Sequence, residues 1–229
     1  MLKYPEIVTE HFDDATFHIN YCLSFIKKYL KDEILEVGGG CGSFTKIYYN
    51  KKIKNLTITE VDKKNLNHLK KYFKKYRNIS ITSKHINKID KKFDTIIYLH
   101  VLEHIKNDRK EILEATKKLK KNGHLIFIVP AHQKIYSRLD KLVGHHRRYE
   151  INFFKKQFLL LKLLDLRFLD SMGYILYYLN KIFFKKEKYP SKLKIFIWDK
   201  IFTPLSFIID FITLYKFGKC ILAIYKKLQ

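Results

Sequence analysis

Residues 36–42 read Glu-Val-Gly-Gly-Gly-Cys-Gly. Glycines at 38, 40 and 42 let a backbone turn tightly and approach a ligand closely, because no Cβ intervenes. The run feeds a helix start, whose free N–H groups suit an anionic group. A second chemical element, Thr59-Glu60-Val61-Asp62, closes the next strand-like run. A carboxylate at that point can accept both hydroxyls of a ribose. Glu60 is the first candidate and Asp62 the second, although Asp62 suits a helix N-cap equally well. A dinucleotide fingerprint would need glycine at 43. Ser43 stands there, which argues against a nicotinamide-dependent oxidoreductase, the alternative enzyme class. Intact glycines and Glu60 argue likewise against a non-catalytic module that keeps the fold and binds a membrane or partner.

A second group of polar residues lies downstream. His104 sits in Val-Leu-Glu-His-Ile (101–105) and His132 in Pro-Ala-His (130–132). Each follows a strand-like run, where an open α/β sheet exposes substrate groups. Both also admit a structural role, His104 as a satisfied histidine and His132 as a cap. Asp140 precedes Gly144-His145-His146-Arg147-Arg148-Tyr149. Two arginines can grip a carboxylate or phosphate, and Asp140 can fix the tautomer of His145. An active-site lid and an ordered loop in which these groups merely pair with each other both fit these residues. Candidate bases are therefore His132 and His145, with Asp140 orienting.

Strand-like and helix-like runs alternate to position these residues. Ile19, Cys22, Leu23, Ile26 and Leu30 recur at helical spacing. Strands are expected at 33–38, 56–61, 79–83, 93–99 and 124–129, with helices at 42–52, 62–76 and 109–121. Asn122-Gly123 should close the last of these helices as a left-handed C-cap. Farther on, a helix near 151–161 and strands near 163–170 and 220–227 follow. Short alternation of this kind calls for a mostly parallel sheet with helices on both faces.

The formal net charge is +24, which by itself suggests nucleic acid. The cations are nearly all Lys, however, whereas phosphate readers favour the planar fork of Arg. Nucleic acid is accordingly not the expected substrate. The three cysteines, Cys22, Cys41 and Cys220, form no CxxC or Cys/His cluster, so neither a disulfide framework nor a metal site is expected. The opening residues lack an apolar core of signal-peptide length. A cytoplasmic protein is expected.

The segments ILEVGGGCGSFT (34–45), TITEVD (57–62), FDTIIYLHVLEHI (93–105) and LKKNGHLIFIVP (119–130) resemble, in order and spacing, the motifs of class I S-adenosylmethionine-dependent methyltransferases. The stretch 131–150 and FGKCILAIYKK (217–227) are similar to a bacterial subgroup of that family, so the resemblance spans roughly 20–227 and favours an active-site lid for the segment from Asp140 to Tyr149 over a surface loop. It implies a Rossmann-like fold with seven strands and a single methyltransferase domain over 1–229, opened by a helical segment at 1–32. It implies S-adenosyl-L-methionine as cofactor, S-adenosyl-L-homocysteine as product, and no metal. Glu36, Gly38, Gly39, Gly40 and Gly42 would hold the methionine and ribose portion. Glu60, with Asp62, would bind the ribose hydroxyls, Val61 would pack on adenine, and Leu99 would offer backbone near the sulfonium. His104, Arg147, Arg148 and Tyr149 would face the acceptor. One departure stands out. The family usually carries an acid after the third strand for the adenine amine, and Thr82-Ser83-Lys84-His85-Ile86 has none. Backbone near Ile86, or His85, would then serve.

The expected acceptor is a small molecule, a glycan or a lipid-linked compound, methylated on oxygen or nitrogen by in-line displacement. No Asn-Pro-Pro-Tyr follows the fourth strand and no Pro-Cys occurs, which counts against adenine, glutamine-amide and cytosine methylation. A basic, aromatic insertion spans 178–217. Its longest nearly uncharged run, 201–209, is too short to span a bilayer. A helix buried on the sheet edge is the first reading. Peripheral contact with the inner face of a membrane is the second.

Overall fold

A computed structural model describes residues 14–155, 158, 160–183 and 190–228. Five strands run parallel: β1 (Glu33–Val37), β2 (Asn55–Thr59), β3 (Ile79–Thr82), β4 (Phe93–Leu99) and β5 (Leu119–Pro130). With β6 (Leu161–Leu169) and β7 (Cys220–Lys227) they form a seven-stranded sheet of order β3-β2-β1-β4-β5-β7-β6, in which β7 is antiparallel to both its neighbours. The strand order reverses between β1 and β4, and the crevice beyond their C-terminal ends is the natural ligand site. β1 and β4 are near-continuous apolar runs because both faces of the central sheet are covered.

Alternate residues feed two cores. Leu35, Ile96, Tyr98 and Phe127 point to one side. There they meet Ile112 and Ala115 of α4 (Asp108–Lys118) and Phe154 of α6 (Ile151–Lys155). Ile34, Ile58, Ile97 and Ile126 point to the other side. They pack on Ile19, Cys22, Leu23 and Ile26 of α1 (Thr16–Ile26), on Tyr48 of α2 (Ser43–Tyr48) and on Leu69 of α3 (Lys63–Tyr72). α5 (Arg138–Leu142) lies in the segment after β5.

Several boundaries differ from expectation. α4 ends at Lys118 on an extended Leu119, not at a left-handed cap. Asn122 does adopt φ +63°, but within β5, beside the point where the β4–β5 register shifts. A Cβ at Gly123 would lie 3.0 Å from the Asp94 carbonyl, so the Asn-Gly pair serves a bulge and a close backbone approach. The helix expected at 151–161 spans Ile151–Lys155; residues 156, 157 and 159 lie outside those described, as do 1–13 of the N-terminal segment.

The insertion is helical: α7 (Ser171–Phe183), α8 (Lys192–Ile197) and α9 (Thr203–Ile212), the last two joined by a π turn at Trp198–Phe202. Buried carboxylates fasten it to the remainder. Asp199 accepts from the His18 backbone N–H at 2.8 Å, closing the start of α1. Asp210 accepts from Tyr21 Oη at 2.5 Å and from the Asp170 and Ser171 backbone. α9 is consequently turned inside out. Thr203, Ser206 and Asp210 are buried, while Phe207, Ile208, Phe211 and Ile212 are exposed, the last two at 69% and 71%. The expectation that this apolar stripe is buried against the sheet is thus reversed. Among the described residues, no helix is long and apolar enough to cross a membrane.

Candidate active site

The turn after β1 is stitched to the end of β2. The Gly38 and Gly39 N–H groups both donate to the Thr59 carbonyl, at 2.9 and 3.0 Å. A Cβ on Gly39 would stand 2.4 Å from Ile58 Cγ2, so backbone and strand approach too closely for any side chain. Gly40 is opposite in character. It holds φ +55°, and a Cβ there would meet nothing within 4 Å, leaving bare backbone toward open space. Gly42, at φ +86°, starts α2.

Glu60 faces this turn. Its Oε2 accepts from the Gly40 N–H at 2.7 Å and its Oε1 from the Asp62 N–H at 2.8 Å. Burial raises its pKa, with both backbone donors opposing. Asp62 caps α3 by accepting from the Asn65 N–H at 2.9 Å. Glu36 accepts from Thr45 Oγ1 at 2.5 Å and Tyr48 Oη at 2.6 Å. Burial lifts its carboxyl to about 7 despite these donors.

Glu36, Gly38, Gly39, Gly40, Thr59, Glu60 and Asp62 line one cavity of about 1180 Å³, together with Val61, Ile86 and Leu99; Gly42 does not. Val61 offers an exposed side chain and Ile86 a buried one. Sequence reasoning missed Glu111. This α4 carboxylate lines the cavity together with His85 and Ile86, and it accepts from Tyr98 Oη at 2.9 Å. Burial raises its pKa, tempered by that hydrogen bond.

The far end of the cavity is polar at one point and apolar around it. His100 takes φ +58° after β4 and donates its N–H to the Ile128 carbonyl at 2.8 Å. The turn Leu102–His104 then buries Glu103 completely. Burial pushes the Glu103 carboxyl up to about 7, with His145 opposing. His145 Nε2 lies 3.8 Å from Glu103 Oε1, and its Nδ1 lies 2.8 Å from Asp140 Oδ1. Asp140 also accepts from Arg148 Nε at 2.8 Å, Tyr177 Oη at 2.7 Å and the Ser137 N–H at 2.9 Å. Burial would raise Asp140, but the His145 and Arg148 contacts hold it well below the carboxylate range. The His104 ring meets the His145 ring edge-on at 4.7 Å, and burial drops its pKa to about 3.

His104, Asp140, His145 and Arg148 line the cavity; His132, Arg147 and Tyr149 do not. His132 adopts φ +64°, stacks on Phe168 at 4.9 Å and meets the Gly218 carbonyl at 3.1 Å. Arg147 and Tyr149 both bind Asp108 and so hold the segment after α5 onto the start of α4. The remaining wall comes from the insertion and α1: His18, Ile19, Leu176, Tyr177, Trp198 and Phe202. Asp170 anchors it, accepting from Trp198 Nε1 at 3.0 Å and pairing with Lys219 Nζ at 3.3 Å. Ligand cavities usually measure about 300–1,000 Å³, so this one exceeds the needs of a single small ligand.

The family described as "Methyltransferase domain" matches residues 16–165, more than half of the chain. Solved structures share the fold. An N-methyltransferase NodS from Bradyrhizobium japonicum WM9, in complex with S-adenosyl-L-homocysteine, is 17% identical with a TM-score of 0.61, over 95% of this chain and 90% of that one. Coclaurine N-methyltransferase, bound to N-methylheliamine and S-adenosyl-homocysteine, is 11% identical with a TM-score of 0.64, over 93% and 70%. An S-adenosylmethionine-dependent methyltransferase from Clostridium acetobutylicum is 15% identical with a TM-score of 0.56, over 95% and 92%. No curated protein matches the chain.

Proposed function

The chain belongs to the methyltransferase-domain family and is an S-adenosylmethionine-dependent enzyme, and from that premise we propose that it methylates an amphipathic small-molecule or lipid-linked acceptor on a hydroxyl or amine. The observation that carries this reading is the two-ended cavity, with a bare glycine turn and a carboxylate at one end and a polar point in an apolar wall at the other.

The residues present suit the cofactor. Gly40 presents backbone with no atom in the way of a ligand, and Glu60 is held at that turn by two backbone N–H groups. S-adenosylmethionine supplies, when bound, a sulfonium-activated methyl group for in-line displacement. Glu60 accepts the ribose hydroxyls through its remaining lone pairs. Gly38, Gly39 and Gly40 admit the methionine portion, Gly42 shapes the turn into α2, and Glu36 braces it from beneath. Val61 and Ile86 would border the adenine, and Glu111 would stand in for the missing acid after β3 as acceptor for its amine. Asp62 acts through its helix cap. Leu99 borders the reacting centre.

At the other end, Glu103, His104 and His145 receive the nucleophilic atom. Asp140 orients the His145 ring, and Arg148 holds Asp140. Apolar walls exclude water and position the acceptor on the axis of transfer, which supplies much of the rate. The methyl transfer itself requires no metal.

The inverted face of α9 supports a membrane-borne acceptor. Phe207, Ile208, Phe211 and Ile212 face outward in a chain of net charge +24. An exposed apolar patch on a strongly basic chain suits an anionic lipid interface.

Calorimetry with S-adenosyl-L-homocysteine tests the first part. The wild type should release heat and Glu60→Ala should not. A wild type that binds no product analogue overturns the reading.

A further inference from the structure

We propose that Glu103, His104 and His145 form a binding site for one divalent cation of the zinc or manganese class, at the acceptor end of the cavity. One ligand atom from each of the three lies within 4.8 Å of the others. Their register is set by short-range geometry: Glu103 and His104 are adjacent on the turn after β4, and His145 is brought over by the lid.

The cluster is built to receive something. Glu103 is completely buried, and no side-chain donor among the described residues reaches hydrogen-bond distance of its carboxylate oxygens; the imidazoles of His100 and His145 both stop 3.8 Å from Oε1. An unmet buried carboxylate costs about 1–3 kcal/mol or more, so such a group calls for a missing partner. The two imidazoles are each held from behind. His145 Nδ1 is engaged by Asp140 at 2.8 Å, which turns Nε2 toward Glu103. His104 is tied to the Gly144 backbone. Metal-binding histidines are oriented in this way by a carboxylate or a backbone carbonyl on the far nitrogen. The nearby guanidinium of Arg148 is already neutralised by Asp140 at 2.8 Å. A set of two imidazoles and one carboxylate suits a borderline divalent ion and leaves coordination positions open to the cavity.

The site's existence is independent of the methyltransferase reading; its role rests on that reading. An acceptor hydroxyl bound to the ion would lose its proton to water at lower pH. Its oxygen would then form a bond to the methyl carbon as the carbon–sulfur bond breaks, with the electron pair staying on sulfur. The ion would thereby favour a hydroxyl over an amine, because a protonated amine has no lone pair to offer it.

The test uses the full chain, stripped of metal with a chelator and then titrated with Co²⁺ by visible absorption and with Zn²⁺ and Mn²⁺ by calorimetry. The expected result is saturable binding of one equivalent, with cobalt d–d bands and no thiolate charge-transfer band. Glu103→Gln and His145→Gln should each weaken binding by more than about tenfold while S-adenosyl-L-homocysteine still binds. Absence of saturable binding in the wild type overturns the proposal, as does equal binding in both variants. A thiolate band overturns it too, since it would put the ion on the second cluster of the cavity, His18, His100 and Cys220. That readout needs no variant to fold. Metal uptake without S-adenosyl-L-homocysteine binding would sink the cofactor reading and leave the cation site standing.

Discussion

The Gly40 N–H donates to Glu60 Oε2 at 2.7 Å, tying the turn after β1 to the acid after β2. The same carboxylate that is read as the ribose clamp therefore also shapes the cradle. Glu60→Gln should weaken S-adenosyl-L-homocysteine by about 10- to 100-fold, the effect of losing about 1.5–3 kcal/mol from charged hydrogen bonds. Calorimetry measures it, and an unchanged affinity would remove Glu60 from the site.

Gly39→Ala should destabilise the fold by about 1–3 kcal/mol, because the new Cβ would stand 2.4 Å from the buried Ile58 Cγ2. Urea unfolding reads the loss. Gly40→Ala adds an atom into open space but holds an L side chain at φ +55°, so it should cost about 1 kcal/mol of stability and reduce cofactor affinity.

Glu36 gives a pH signature. Its carboxyl is raised to about 7 in the fold from an ordinary 4.5. Between those values the folded chain keeps a proton that the unfolded chain releases. Stability from this group is present below about 4.5 and is lost as pH rises to about 7, a difference on the order of a few kcal/mol. Glu36→Gln removes the titration. The stability of the wild type relative to the variant should fall across that window in urea melts, and a constant difference would contradict the assignment.

Asp140→Ala leaves the Arg148 guanidinium buried without its carboxylate and should cost about 3–5 kcal/mol. The variant should also lose acceptor turnover, through the freed His145 ring, more than it loses S-adenosyl-L-homocysteine affinity.

Phe211→Ser with Ile212→Ser alters exposed side chains, so stability should change by less than about 0.5 kcal/mol. Co-sedimentation with vesicles containing anionic lipid should drop sharply. Equal sedimentation of wild type and variant, or none by either, would refute membrane contact through this face.

The parallel sheet was legible because β1 and β4 are apolar runs and the glycine turn follows directly. The meeting of the glycine turn with Glu60 and Val61 was legible for the same reason, since these residues take their places from local strand ends. The acceptor end was less so. His132 follows β5 as expected, yet its positive φ turns the ring onto Phe168. Asn122-Gly123 signals a left-handed residue without saying whether it ends a helix or makes a bulge. Glu103 and Glu111 become site residues only through tertiary burial against the lid and Tyr98. For α9, an apolar stripe is visible in sequence but its direction is not, since Asp170 and Asp210 decide which side faces in.

The Asp199 carboxylate that closes the start of α1 reaches 181 positions back along the chain to His18. During synthesis the sheet strands β1–β5 and their glycine turn emerge first, and the roof over the acceptor can shut only after residue 199 has appeared. A nascent chain thus carries the bare glycine turn well before it has a walled chamber, and the sheet itself is complete only when β7, the last element made, enters between β5 and β6.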